Sequence, residues 1–314
     1  MLIVIEGVDG AGKSTLVEML NDRMPENTII KHRGKLKGDA LREYEWDLVN
    51  YQPGGDNIVC DRRHLGELIY PAARGCSSKL TPQMRQHVDM FLLSRGATRI
   101  ILDADIDLVQ KRCRERGEDF VEPWQIALIH GWYRDYAIAH SDWWHLHSED
   151  VSPNMVRDIL GYAKLMDDGA VILQRWKTYV GGRWPDFLFV GDKRNGNDAA
   201  HGRPAYPSAF VPYRDTSGDF LIGAIQDAEL GNTTYGIVNG TDEQDQLLQL
   251  WYTLGEPRAI ALGDAAATAM NRSGVPMVGK VAHPQYMRRF HHKDRQTYGL
   301  KMKEMLDGDA SLPL

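Results

Sequence analysis

The eight residues Gly7-Val8-Asp9-Gly10-Ala11-Gly12-Lys13-Ser14 constrain this chain more than any other feature. They satisfy G-x-x-x-x-G-K-[ST], the pattern of a phosphate-binding loop. The context fits. Leu2-Ile3-Val4-Ile5 before it reads as a buried strand, and Leu16, Met19 and Leu20 after it fall at helical spacing. Glycines let the backbone wrap a phosphate without a Cβ in the way. Successive N–H groups at a helix N-terminus make an anion nest. In that arrangement Lys13 reaches the β- and γ-phosphates and Ser14 ligates Mg²⁺. Gly7, Gly10, Ala11, Gly12, Lys13, Ser14 and Thr15 are therefore the candidate ATP-binding residues.

The rest of the chain leaves room for more than one such unit. At 314 residues, its length predicts two domains. A net charge of −6 gives no overall electrostatic case for nucleic-acid binding. Cys60, Cys76 and Cys113 form no C-x-x-C pair, so neither a disulfide framework nor a cysteine-rich metal site is indicated. With no signal peptide and no long apolar run, a cytoplasmic location and no membrane partner are expected.

Residues 1–168 alternate strand and helix signals. Asn57–Cys60 reads as a strand leading into Asp61, and Thr98–Leu102 as another. Helices are expected after Thr81-Pro82 up to Gly96, over Asp105–Arg116, and around Asn154–Leu165. A last strand falls near Trp143–His147. This order predicts a parallel sheet wrapped by helices in three layers. Met166-Asp167-Asp168-Gly169 reads as a break, and 169–314 as a second α/β domain. Its strands are expected at Phe187–Val190, Tyr235–Val238 and Ala259–Leu262, with helices at Gly218–Asp227 and Gln244–Tyr252. Residues 192–217, rich in Gly, Asn, Asp and Pro, read as a long functional loop.

The first half resembles the thymidylate kinase family of P-loop nucleotide kinases. The resemblance rests on Glu6-Gly7-Val8-Asp9-Gly10-Ala11-Gly12-Lys13-Ser14-Thr15 and on Asp61-Arg62-Arg63-His64 at a strand end. It implies ATP and Mg²⁺ as cofactors and a deoxynucleoside monophosphate as acceptor, dTMP or a modified-pyrimidine analogue. It makes Asp9 and Lys13 catalytic, gives Arg62 the grip on the acceptor phosphate, and sets Asp61 and Ser14 at the metal. A guanidinium fork suits a phosphate dianion. Arg112-Cys113-Arg114-Glu115-Arg116-Gly117 resembles the family's lid, with Arg112 and Arg116 on the transferring phosphoryl. A solvated basic helix end is the plainer alternative. His64–Tyr70 departs from the family's wording, with Tyr70 a candidate for shaping the acceptor pocket.

The second half resembles the uracil-DNA glycosylase superfamily. The residues are Phe187–Asp192, Ser217-Gly218-Asp219-Phe220-Leu221, Asn239 at a strand end, the Leu262-Gly263-Asp264-Ala265-Ala266 step, and His283-Pro284-Gln285-Tyr286. The resemblance implies an acidic group at Asp192, a carbonyl-polarising His283, a base-reading Asn239 and a stacking ring at Tyr206 or Phe210. This half has no cysteine, so no iron–sulfur cluster is expected. Lys193-Arg194-Asn195-Gly196 stands where that superfamily has a small, Pro-containing motif. Residues 280–303 hold seven Lys/Arg against Asp294 alone, interleaved with Tyr286, Phe290 and Tyr298. They read as a DNA-facing surface or as a solvated basic helix.

Three functions stay open. The first is a deoxynucleotide kinase fused to a domain that binds or cleaves a base, an architecture suited to a virus with unusual DNA bases. The second is a kinase acting on a base or end in DNA, with a silent nucleic-acid-binding second domain. The third is a nucleotide-sensing switch without turnover. Nucleotides are the expected partners in each, with DNA and a homodimer as further options.

Overall fold

A computed structural model describes residues 1–32, 43–44, 51–117, 122–140, 142–176, 178–192, 210, 216–230 and 234–308. It forms two compact units. One comprises Met1–Val88 with Arg95–Val171, the other Asp89–Ser94 with Ile172–Leu314.

The first unit holds a five-stranded sheet of β1 (Leu2–Glu6), β2 (Ile29–His32), β3 (Ile58–Asp61), β4 (Ala97–Asp103) and β5 (Trp144–His147), in the order β2-β3-β1-β4-β5. Every pairing is parallel. β1, β3 and β4 are buried along their whole length, which is why each carries a short apolar run, Leu2–Ile5, Ile58–Cys60 and Ile100–Leu102, rather than an alternating pattern. The helices are α1 (Lys13–Asn21), α2 (Leu65–Ala73), α3 (Pro82–Ser94), α4 (Ile106–Glu115), α5 (Pro123–Ala139) and α6 (Pro153–Leu173), with Asp89–Ser94 of α3 and the last two residues of α6 belonging to the second unit. Side chains alternate across β1. Ile3 and Ile5 join Leu16 and Leu20 of α1 and Val156, Ile159 and Ala163 of α6 in one core. Glu6 falls on the opposite face, where its carboxylate meets Tyr133 of α5.

The break expected at Met166–Gly169 is not a loop, since α6 runs through it, and the two units divide at Val171 and Ile172. Asp167, within that stretch, has a structural duty. Asp167 is buried and accepts hydrogen bonds from the Tyr51 hydroxyl at 2.8 Å and the Gly54 N–H at 3.0 Å. β2 has no counterpart among the strands expected from the sequence. It lies at a sheet edge, half exposed, and lacks a strong apolar pattern.

The second unit is a four-stranded parallel sheet of β6 (Phe187–Gly191), β7 (Tyr235–Asn239), β8 (Arg258–Leu262) and β9 (Gly279–Val281), in the order β7-β6-β8-β9. Its helices are α7 (Ser217–Asp227), α8 (Leu247–Thr253), α9 (Asp264–Ser273), α10 (Pro284–Phe290) and α11 (Arg295–Asp307). Phe189 packs with Phe220 and Leu221 of α7 and Tyr298 and Met302 of α11. Its neighbours Leu188 and Val190 face the other way, onto Leu247 and Leu250 of α8 and Met270 of α9. β9, only three residues long, is also absent from the expected strands, and α8 starts three residues later than expected. Most of the 192–217 loop, with Lys193–Gly196 and Tyr206, lies outside the described residues.

Candidate functional site

In the first unit the site grows from the carboxyl edge of the sheet. β1 ends at Glu6, the loop turns through Gly7–Gly12, and α1 opens at Lys13. Gly7, Gly10 and Gly12 all have positive φ. A Cβ on Gly7 would lie 2.3 Å from the Leu102 carbonyl oxygen of β4, so only glycine fits. Lys13 is buried, and its Nζ donates to the carbonyls of Gly7 at 2.9 Å and Val8 at 2.8 Å. Asp9 Oδ1 is 3.9 Å from that ammonium. Burial, and next the nearby Arg62 charge, lower the Lys13 pKa to about 8.

Arg62 follows the last residue of β3 with φ at 66°, a conformation uncommon for residues other than glycine. Its guanidinium donates to the Asp9 carboxylate. Tyr70, on α2, accepts the Asp9 N–H at 3.1 Å. Burial, and then the Asp9 charge, push its phenol well above the usual range. The fold thus gathers Asp9, Lys13, Arg62 and Tyr70 from two separate stretches of the chain. Arg112 Nη1 donates to the Gly10 carbonyl at 2.9 Å, so this arginine rests on the loop itself. Arg116 is exposed and caps the C-terminus of α4.

Asp61 is buried, with Oδ2 at 3.0 Å from His32 Nδ1. Its Oδ1 is buried without a hydrogen-bond partner among the described residues. An orphaned carboxylate oxygen and the exposed Ser14 hydroxyl in the first turn of α1 are oxygen donors of the kind Mg²⁺ takes. Among the described residues no group of three or more His, Cys, Asp and Glu could hold a metal by itself.

Two polar centres here go unread in the sequence. Glu6 belongs to the quoted motif but receives no role there. Its Oε1 accepts the N–H groups of Arg63 and Leu65, each at 2.9 Å. The available signal is a carboxylate closing an otherwise apolar buried strand. Asp103, at the end of β4, lies 2.7 Å from His130 Nε2, 3.2 Å from His145 Nε2 and 3.5 Å from Arg134. Burial works to raise this carboxyl, but the hydrogen bond from His130 leads the effects that hold it below its usual range. No spacing in the sequence links residues 103, 130 and 145.

In the second unit the carboxyl ends of the strands again converge. Gly191 ends β6 level with Asn239 of β7. Asp192 Oδ1 accepts the Thr241 hydroxyl at 2.8 Å. His283 follows β9 and is half-buried. Its Nδ1 accepts the Gln285 N–H at 3.1 Å, which assigns the neutral ring's proton to Nε2. Burial lowers its pKa, opposed by the charge of Asp192. The Phe210 ring is fully buried, tilted 36° to the His283 ring, with centroids 5.9 Å apart. A Cβ on Gly191 would strike Phe210 at 2.4 Å, so glycine makes room for that ring. Asn239 is fully buried, and its Nδ2 donates to Asp242 at 3.1 Å.

Residues 280–303 form the end of β9, α10 and most of α11, not one helix. Lys280 pairs with Asp264, Arg295 with Asp227 and Lys303 with Asp307. Tyr286 and Phe290 are exposed, with ring centroids 5.2 Å apart. None of the described helices is long and apolar enough to cross a membrane.

No family model matches the chain. A probable thymidylate kinase from Archaeoglobus fulgidus is 28% identical over 38% of this chain and 71% of its own length. The SPbeta prophage-derived uncharacterized protein YorR of Bacillus subtilis is 27% identical over 43% of this chain and 80% of its own. The crystal structure of YorR from Bacillus subtilis in complex with phosphorylated GDP covers 52% of this chain and 96% of its own, at 24% identity and a TM-score of 0.41. The N-terminal region therefore resembles the thymidylate kinase family.

Proposed function

We propose that the first unit transfers the γ-phosphoryl of ATP to a deoxynucleoside monophosphate, dTMP or a modified-pyrimidine analogue. One observation carries this reading. A phosphate loop with a buried lysine and an arginine turned onto that loop's own aspartate share one sheet edge. The similarity to probable thymidylate kinases supports it.

Phosphoryl transfer asks little covalent chemistry of the protein and much electrostatic positioning. The loop N–H groups and Lys13 hold the donor phosphates. Arg62, kept in place by Asp9, presents its fork to the acceptor phosphate and offsets the repulsion between two anions. Arg112 adds a cation at Gly10. Ser14 and Asp61 would be the protein oxygens for Mg²⁺, which would supply charge neutralisation at the phosphates. The deciding experiment incubates the full chain with ATP, Mg²⁺ and a panel of deoxynucleoside monophosphates. A diphosphate product is expected, and no product with any acceptor would sink the proposal.

For the second unit we propose binding of a nucleobase or nucleotide, in keeping with its resemblance to the uracil-DNA glycosylase superfamily. The grouping of Asp192, Phe210 and the His283 Nε2–H at one sheet edge favours it. The exposed Tyr286–Phe290 pair beside Arg289 and Lys293 favours DNA as the carrier of that base. Asn239, already bonded to Asp242, serves there as a support for the strand end. Titration with nucleobases, nucleotides and single-stranded DNA tests this reading, and absence of binding to all three would end it.

A further inference from the structure

We infer that Glu6 is a positioning residue for the acceptor arginine, its buried carboxylate anchoring the turn that carries Arg62. This rests on the phosphoryl-transfer reading and adds a residue to it. Glu6 is fully buried and closes a strand whose other four residues are all apolar. A carboxylate in such a place needs partners, and it has them. Oε1 accepts the backbone N–H groups of Arg63 and Leu65, both at 2.9 Å, and Oε2 accepts the Tyr133 hydroxyl at 3.2 Å.

Those N–H groups sit where α2 begins. The residue before α2, His64, offers no side-chain capping bond. Glu6 supplies from another strand the side-chain acceptor that this helix start lacks. The same contacts fix the residues that directly follow Arg62. Its own N–H donates to the Ile5 carbonyl at 2.9 Å, so consecutive residues of β1 hold consecutive residues of the turn. A non-glycine residue at φ 66° persists only where its surroundings over-determine it, and these bonds do so. α2 also carries Tyr70 to the Asp9 N–H. Because the phosphate loop starts one residue after Glu6, a single strand end registers the donor lysine against the acceptor arginine.

Two variants of the full chain separate positioning from plain stability. Glu6→Gln keeps an oxygen for both N–H groups and an NH₂ for the Tyr133 oxygen. Glu6→Asp keeps the charge but is one methylene too short to span both. A misplacement of this size predicts an acceptor KM raised about 10- to 100-fold in E6D, with the ATP KM within about twofold of wild type. E6Q is expected within about threefold of wild type for both substrates. Amide exchange should show Arg63 and Leu65 losing protection in E6D and keeping it in E6Q.

Equal damage to ATP and acceptor, an unchanged acceptor KM in E6D despite exposed amides, or equal damage in both variants would overturn the inference. Should the wild-type chain turn over no nucleotide, the phosphoryl-transfer reading fails on its own. The same acceptor-against-ATP split is then read as calorimetric affinities, with the same outcomes deciding.

Discussion

At the scale of single residues, the chemistry rests on charges held out of water. Lys13 is buried against loop carbonyls rather than extended into solvent. Removing a positioned cation of this kind typically costs ~10²-fold or more in rate. Lys13→Ala is therefore expected to abolish measurable transfer while circular dichroism stays native, and near wild-type turnover would disprove its role. Its pKa near 8, against 10.5 for an ordinary lysine, has a second consequence. Bound phosphates raise that pKa again, so nucleotide binding takes up protons. At pH 8, where Lys13 is half protonated, uptake approaches about half a proton per site. Calorimetry in buffers of different ionisation enthalpy reads it, and the Lys13→Ala variant should lose it. Arg62 differs from Lys13 because its value is geometric. Lysine keeps the charge and loses the fork, so Arg62→Lys should raise the monophosphate KM and leave the ATP KM unchanged. Equal shifts in both would remove Arg62 from the acceptor site.

At the scale of elements, the sequence marks strands and helix starts far better than it marks what holds them. Thr216 and Asp105 cap α7 and α4 as their residue types predict, each accepting backbone N–H bonds in the first turn. Glycine misleads at one position of α6 and not at another. Gly169, which with Asp167 and Asp168 reads as a break, sits inside α6. Gly161 lies exposed in the same helix with nothing within 4 Å of an added Cβ. Gly161→Ala is thus expected to stabilise the first unit by ~0.5–1 kcal/mol, read as a higher unfolding temperature. Gly7→Ala should do the opposite. The added methyl meets the Leu102 carbonyl oxygen at 2.3 Å, and the β1–loop junction cannot form. Soluble, active Gly7→Ala protein would show that this junction gives way more easily than the packing implies.

At the scale of the whole molecule, each unit has its own parallel sheet, its own core, and its own cluster at the carboxyl ends of the strands. Such self-sufficiency predicts functional independence. Lys13→Ala should leave base binding by the second unit unchanged, and His283→Ala should leave phosphoryl transfer unchanged. Both are checked on the full chain with the turnover assay and a base-binding titration. A loss in either crossed measurement would mean that the units are coupled.

The sequence by itself determined the phosphate loop, because its chemistry needs particular residues at fixed spacing along one strand–turn–helix. It also determined the parallel α/β character of both halves, because strands buried on both faces must be apolar runs. Local patterns such as these are complete within about a dozen residues. Only the tertiary structure decided the rest. It made Asp167 a buried acceptor within a continuous helix, and set Arg112 on the loop. It turned Asn239 toward Asp242 and joined Asp103 to His130 and His145. It also gave Glu6 its three partners. Each of these is a hydrogen bond or ion pair whose partners come from separate stretches of chain or from alternative neighbours within a turn. A side chain's preference for one partner over another is decided by burial and distance, and neither is written in the spacing of residues.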